Sequence, residues 1–306
     1  MQRTIRVGTS GYTFDDWRGL VYPRTLKGSA LPYYAKLFDC VEINTTFYRV
    51  PPASLFDGML RHVPGDFVFW VKLPKEMTHE RDRFDRVVAP FTEAIAPLVR
   101  AGQLGGLLAQ FPFSFKPSDT TRAHIERLAD ALGGRGIPIH VEFRHAAWLD
   151  DSVYRFLEQH DLGFVNVDLP ELEGLPGRTD LVTSNVAYYR LHGRNRTNWW
   201  RDTGNPHDRY DYSYSEKQLG EWADKARRVT TAGKADVAYL LTNNCRLGQS
   251  VISALRLARA LDLPSPTPPP GLPGELFEPT RDELIDRLTS GLLDARAAID
   301  REGTPG

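Results

Sequence analysis

In Val41-Glu42-Ile43-Asn44 apolar and polar side chains alternate, and the same construction recurs in Ile139-His140-Val141-Glu142 and in Tyr189-Arg190-Leu191-His192. Period-two alternation over β-forming residues predicts strands. Further strands are predicted at 5–9, 67–72, 105–110, 163–167 and 237–241. Between the strands, apolar residues repeat at helical spacing over 31–38, 54–62, 91–100, 121–132, 153–160, 215–229 and 250–261. The crossover at 169–184, rich in Gly, Pro and acidic residues, shows no helical pattern. Strands alternating with helices predict a parallel sheet with right-handed crossovers. For a chain of 306 residues the expected α/β fold is a single (β/α)8 barrel of the TIM type over 1–263. An open doubly wound sheet is the alternative, but the Gly-rich turn that such a fold often carries after its first strand is missing. Pro264-Ser265-Pro266-Thr267-Pro268-Pro269-Pro270 then predicts a stiff linker. Thr280 and Glu283 make a capping-box signature ahead of Leu284, Ile285, Leu288 and Leu292, so 264–306 is expected to end in a helix packed on the barrel exterior.

Hydrophobic content of 41% and charged content of 25% are ordinary for a globular chain. A net charge of −1 provides no global basic field, so any anion-binding site must be local. The N-terminal residues lack the apolar core of a signal peptide, and no apolar run is long enough to span a bilayer. The expectation is therefore a cytoplasmic protein with no membrane partner and no obligate protein partner. Cys40 and Cys245 are too few for a disulfide framework, and their predicted positions at opposite barrel ends keep them unbonded.

Gly8-Thr9-Ser10-Gly11-Tyr12, Val41 to Arg49, Val71-Lys72, Gln110-Phe111-Pro112, Val141 to His145 with Trp148, Arg190 to Arg194 and Asn243-Asn244 together resemble the YecE-like family, a group defined as a domain of unknown function. The resemblance runs from about residue 5 to residue 261 and leaves out the Pro-rich tail. It implies a TIM-type barrel related in fold to the endonuclease-four and xylose-isomerase-like barrels, and it brings no reaction with it. Cys245 stands where the family often has Asp or His.

In such a barrel, polar residues at the C-terminal strand ends build the site. Glu42 with Asn44, Lys72, Gln110, His140 with Glu142 and Arg144, Asn166 with Asp168, and Arg190 with His192 share one parity. Glu42 and Lys72 lie on adjacent strands and are expected to pair. Glu142 and Asp168 are expected to form a carboxylate pair, whose closeness would split their pKa values or recruit a metal. Glu42, Lys72, Glu142, Asp168 and His192 are thus the candidate acid–base residues. Tyr12, Asn44, Tyr48, Gln110, Arg144, Arg190, Arg194, Asn243 and Asn244 are the candidate substrate contacts.

No cofactor is expected. The alternative is a divalent metal at Glu142, Asp168 and His192, against which Lys72, Arg144 and Arg190 bring positive charge. A buried ion-pair network that merely fixes register is the structural alternative for the whole set. Tyr12, Trp17, Phe47, Tyr48 and Trp148 can floor a pocket for a sugar or base, or simply pack the rim. After the seventh strand, Arg194, Arg196 and Arg201 are interleaved with Trp199 and Trp200, a composition suited to phosphate contact and base stacking. An anion is expected there and at 243–250, which leads into a helix. The functional expectation is an enzyme acting on a phosphate- or carboxylate-bearing small molecule or on a nucleic-acid end, with hydrolase, lyase and isomerase chemistry all open. A non-catalytic nucleic-acid binding protein and a glycosidase using two carboxyls are the other readings.

Overall fold

The computed structural model describes residues 4–133, 136–205, 207–264 and 281–302. Eight parallel strands close a barrel in sequence order: β1 (Ile5–Ser10), β2 (Cys40–Ile43), β3 (Val68–Lys72), β4 (Leu104–Gln110), β5 (Ile139–Glu142), β6 (Leu162–Asp168), β7 (Val186–Leu191) and β8 (Val237–Thr242). The ring closes where Val7 of β1 pairs with Leu240 of β8. Around it run α1 (Leu31–Tyr34), α2 (Ala53–Leu60), α3 (Lys75–Thr78), α4 (Phe84–Arg100), α5 (Asp119–Gly133), α6 (Asp151–Gln159), α7 (Glu216–Thr231), α8 (Gln249–Ala260) and α9 (Arg281–Glu302). The (β/α)8 barrel read from the sequence is the fold of the protein.

Two local differences have physical causes. The fourth helix starts at Phe84 rather than at 91, and Pro90 sits inside it. Pro90 lies on the exposed side, where water can satisfy the carbonyl that its ring leaves unbonded. The helixless crossover from β6 to β7 is held instead by Asn166. Its Oδ1 accepts from Leu181 N and Thr179 Oγ1, each at 2.8 Å, and its Nδ2 donates to Leu181 O at 2.8 Å.

The lower barrel interior is filled by aromatic rings. Trp70 lies 4.2 Å from Tyr188, 5.1 Å from His140 and 5.2 Å from Tyr239, centroid to centroid. Two glycines make the room: a Cβ at Gly163 would fall 2.1 Å from His140 Nε2, and one at Gly106 would fall 2.5 Å from the Trp70 ring. Burial pushes His140 down to about 4, so it is neutral, with Nε2 2.9 Å from Val186 O. His140 belongs to this plug and not to the mouth.

Leu284, Ile285, Leu288 and Leu292 of α9 are buried against the main core, as their spacing predicts. Arg259 pairs with Asp282 at 2.7 Å and Arg296 with Asp211 at 2.5 Å, fastening α9 to α8 and to the loop before α7. The linker from Ser265 onward and Thr280 of the capping signature lie outside the described residues. Cys40 and Cys245 are both buried free thiols. Among the described residues, no helix is long and apolar enough to cross a membrane.

Candidate active site

Parallel register sets the inward residues of neighbouring strands side by side, and at the C-terminal ends these residues turn polar. Ser10 pairs with Glu42, Gln110 with Glu142, and Val167 with Arg190. Arg190 is the hub. Its Nε and Nη2 grip Glu42 at 2.8 and 2.6 Å, while its Nη1 donates to Glu142 Oε2 at 2.5 Å. Tyr188, one inward step below, donates to Glu42 Oε2 at 2.7 Å. Arg144 Nε takes the other oxygen of Glu142, and His192 Nε2 stands 3.3 Å from that oxygen. Asn243 Nδ2 lies 2.9 Å from His192 Nδ1.

Burial alone would raise both carboxyls. For Glu42 the charge and forked bonds of Arg190 outweigh it, and for Glu142 Arg144 and Arg190 do so together. Both are held below the usual carboxylate range. His192 is pushed to about 3 by burial and by the Arg144 charge, so it is neutral.

Lys72 stands apart from this network. Its Nζ donates to the neutral Gln110 Oε1 at 2.8 Å and lies 4.1 Å above the Phe47 ring centroid. Burial lowers its pKa to about 7, aided by Arg190 and Arg144 and opposed by Glu142 and Glu42. A cavity of about 690 Å³ opens above it, with Lys72, Gln110, Arg144, Arg190, Asn44 and Asn243 among its polar lining. Tyr12, Phe47, Tyr48 and Tyr210 belong to its aromatic wall. Asn44 Oδ1 is buried with no hydrogen-bond partner.

Several expectations are corrected. Glu42 pairs with Arg190 and not with Lys72. Asp168 does not line the cavity: Val165 and Val167 are the inward residues of β6, so Asp168 faces α7. There it binds Arg194 through Nε at 2.8 Å and Nη2 at 2.9 Å, and Trp222 Nε1 at 2.7 Å. The carboxylate pair with Glu142 is therefore not formed, and the metal triad of Glu142, Asp168 and His192 does not converge. No cluster of three metal-binding side chains occurs among the described residues.

Arg194 is committed to Asp168, and Asn244 turns outward, its Nδ2 bonded to Tyr212 O and Ser253 Oγ. Two carboxylates already stand at the expected anion site ahead of α8. Asp16 accepts from Leu247 N at 2.6 Å, and Arg246 pairs with Asp208. Trp199 is buried, leaving Trp200 as the exposed member of that pair at 55%. Trp17 and Trp148 are core residues, not pocket walls. Glycosidase chemistry needs one carboxyl with a raised pKa, whereas Glu42 and Glu142 are both lowered and tied to Arg190.

Tyr188 and Tyr210 also belong to the site, although little in the sequence marks them. Tyr188 shares the parity of Arg190, a usable signal hidden by reading tyrosine in a strand as packing. Tyr210 sits in a long polar loop that offers no periodicity.

Residues 6–274 match a family described as a protein of unknown function, DUF72. The UPF0759 protein YunF of Bacillus subtilis (strain 168) is 26% identical over 274 residues, spanning 85% of this chain and 95% of that protein. The UPF0759 protein YecE of Escherichia coli (strain K12) is 28% identical over 147 residues, 46% of this chain and 52% of that one. A crystal structure of a DUF72 family protein from Thermotoga maritima MSB8 is 38% identical with a TM-score of 0.77, covering 85% of this chain and 100% of that chain. A DUF72 family protein from Enterococcus faecalis V583, 23% identical with a TM-score of 0.75 over 85% of this chain and 96% of its own, shares the fold.

Proposed function

The chain belongs to the DUF72 family of proteins of unknown function, and from that premise we propose that it is an enzyme performing acid–base chemistry on a small molecule that bears a phosphate or carboxylate. The observation that carries this reading is Lys72, an amine with a pKa near 7 on the floor of an open cavity, whose hydrogen-bond partner is a neutral amide. A group titrating near neutrality accepts and returns a proton with little driving force lost either way. Arg144 lines the same cavity, bonded to Glu142 through Nε, and brings a guanidinium charge to the anion. Lys72, Arg144 and Arg190 set three cations against the carboxylates of Glu42 and Glu142, so one positive charge is left over whenever Lys72 is protonated. Glu42, Glu142 and His192 hold the two arginines in place in this reading and do not shuttle protons. Tyr12, Tyr48 and Tyr210 provide faces for the rest of the substrate.

The test uses inorganic phosphate as the simplest anion. Phosphate raises the unfolding temperature of the wild-type chain by mass action, and Arg144→Ala abolishes the rise. No phosphate effect on the wild-type protein would sink this reading. A second reading, non-catalytic binding of a nucleic-acid end, is supported by Trp200, exposed and edge-on to Phe113 at 4.9 Å. It requires an affinity for single-stranded oligonucleotide that falls steeply with salt and is lost in Trp200→Ala.

A further inference from the structure

We propose that Lys72 is a covalent nucleophile, forming a Schiff base with a substrate that carries an aldehyde or ketone next to its anionic group. This deepens the acid–base reading and rests on the same cavity. Three features of the geometry bear on it. Lys72 ends β3 with its Nζ bonded to the neutral Gln110 side chain, so adding to a carbonyl breaks no ion pair. The face of Phe47, 4.1 Å away, favours a cation, and the iminium keeps the positive charge on that nitrogen. Asn44, whose side chain also lines the cavity, has a buried Oδ1 with no partner and so keeps an unused acceptor near the cavity wall.

The arginines that flank the amine are the second half of the arrangement. A lysine becomes nucleophilic at neutral pH when it is desolvated or set beside another cation, and Arg190 and Arg144 occupy that position here. Arg144 then has a second use, holding the carboxylate or phosphate so that the carbonyl carbon lies over Nζ.

The step balances. Neutral Nζ adds its lone pair to the carbonyl carbon, and the carbonyl oxygen takes one proton from Nζ and one from solvent. It departs as water, the C–O bond having been replaced by C=N, and the nitrogen keeps one hydrogen and the positive charge. No oxidant or reductant takes part. The iminium then draws electrons from a neighbouring C–H or C–C bond, which points to proton abstraction or carbon–carbon cleavage beside a carbonyl as the reaction class.

The test traps the intermediate in the intact protein with glyoxylate, the smallest aldehyde bearing a carboxylate, and cyanoborohydride at pH 7. Modified lysines are located by peptide mass spectrometry. An ordinary lysine is neutral at pH 7 only on the order of once in a thousand. Lys72 should therefore be labelled at least tenfold faster than the exposed Lys116, Lys217 and Lys234, with phosphate slowing it. The Lys72→Met chain should lose the fast adduct while keeping the slow surface ones. Labelling spread over surface lysines with none favouring Lys72 overturns the nucleophile. If phosphate still protects the fold in that case, the acid–base reading survives alone. A fast Lys72 adduct that phosphate leaves untouched supports the nucleophile and removes the anion-binding reading instead.

Discussion

Two clusters in this molecule are built from the same parts and do different work. Inside the barrel mouth, Glu142 at the end of β5 holds Arg144 and Arg190, and a lysine lies on an aromatic face, Lys72 on Phe47. On the outer side, Asp168 at the end of β6 holds Arg194, and Lys225 lies 4.3 Å over Trp222. The outer cluster is saturated. Asp168 is bound by an arginine fork and an indole N–H, and Lys225 donates to Thr179 O at 2.8 Å. It closes the helixless β6–β7 crossover against α7. The inner cluster leaves Lys72 and Arg144 lining an open cavity. Residue types therefore do not separate a fastening from a site; what remains unsatisfied does.

Glu142→Gln should expose the contrast most strongly. It leaves Arg144 and Arg190 short of counter-charge in the barrel, costing about 3–5 kcal/mol in urea unfolding. Asp168→Asn keeps an acceptor for Trp222, and Arg194 retains Glu221 at 3.8 Å as a second carboxylate, so its cost should be smaller, about 1–3 kcal/mol. Equal costs would mean that both clusters are structural fastenings. Next in size is the pH dependence of the two lysines. Lys72 binds its proton with a pKa of about 7 when folded against 10.5 for an ordinary lysine, so between those values the unfolded chain holds more protons and stability rises with pH. Lys72→Met should therefore stabilise the protein by about 1–4 kcal/mol at pH 6, the gain fading as pH approaches 10.5. Lys225 is also lowered, chiefly by burial, but it is only half-buried, and Lys225→Met should show a weaker version of the same trend. The smallest effect is the most discriminating. Arg194→Ala should leave phosphate protection unchanged, because that arginine faces Asp168 and lies outside the cavity.

The inward parity of β2, β3, β4, β5 and β7 was legible because each ends in a polar residue flanked by apolar ones. At β6 the same rule selected the wrong face. Asn166 and Asp168 alternate with Val165 and Val167, and sequence periodicity alone does not say which set meets the lumen. The missing helix in the next crossover leaves the outer face of β6 to the coil at 169–184 and to α7, where Asn166 bonds Thr179 and Leu181, and Asp168 bonds Arg194 and Trp222. Which arginine pairs with which carboxylate was out of reach. Arg190 and Arg194 lie one helical turn apart in sequence yet on opposite sides of the sheet, and only the register with β8 and the turn at Gly193 (φ 95°) separates them.

The aromatic plug under the charged layer has a kinetic meaning. With Trp70, His140, Tyr188 and Tyr239 closing the barrel below Glu42 and Glu142, the cavity is shut along the barrel axis and opens toward the mouth. In the proposed enzyme, whatever is formed above Lys72 leaves on the side its substrate came from, so product and substrate exclude each other. Inhibition by product is then competitive with the substrate, and departure past Tyr48, 75% exposed at the rim, becomes a natural bottleneck of turnover.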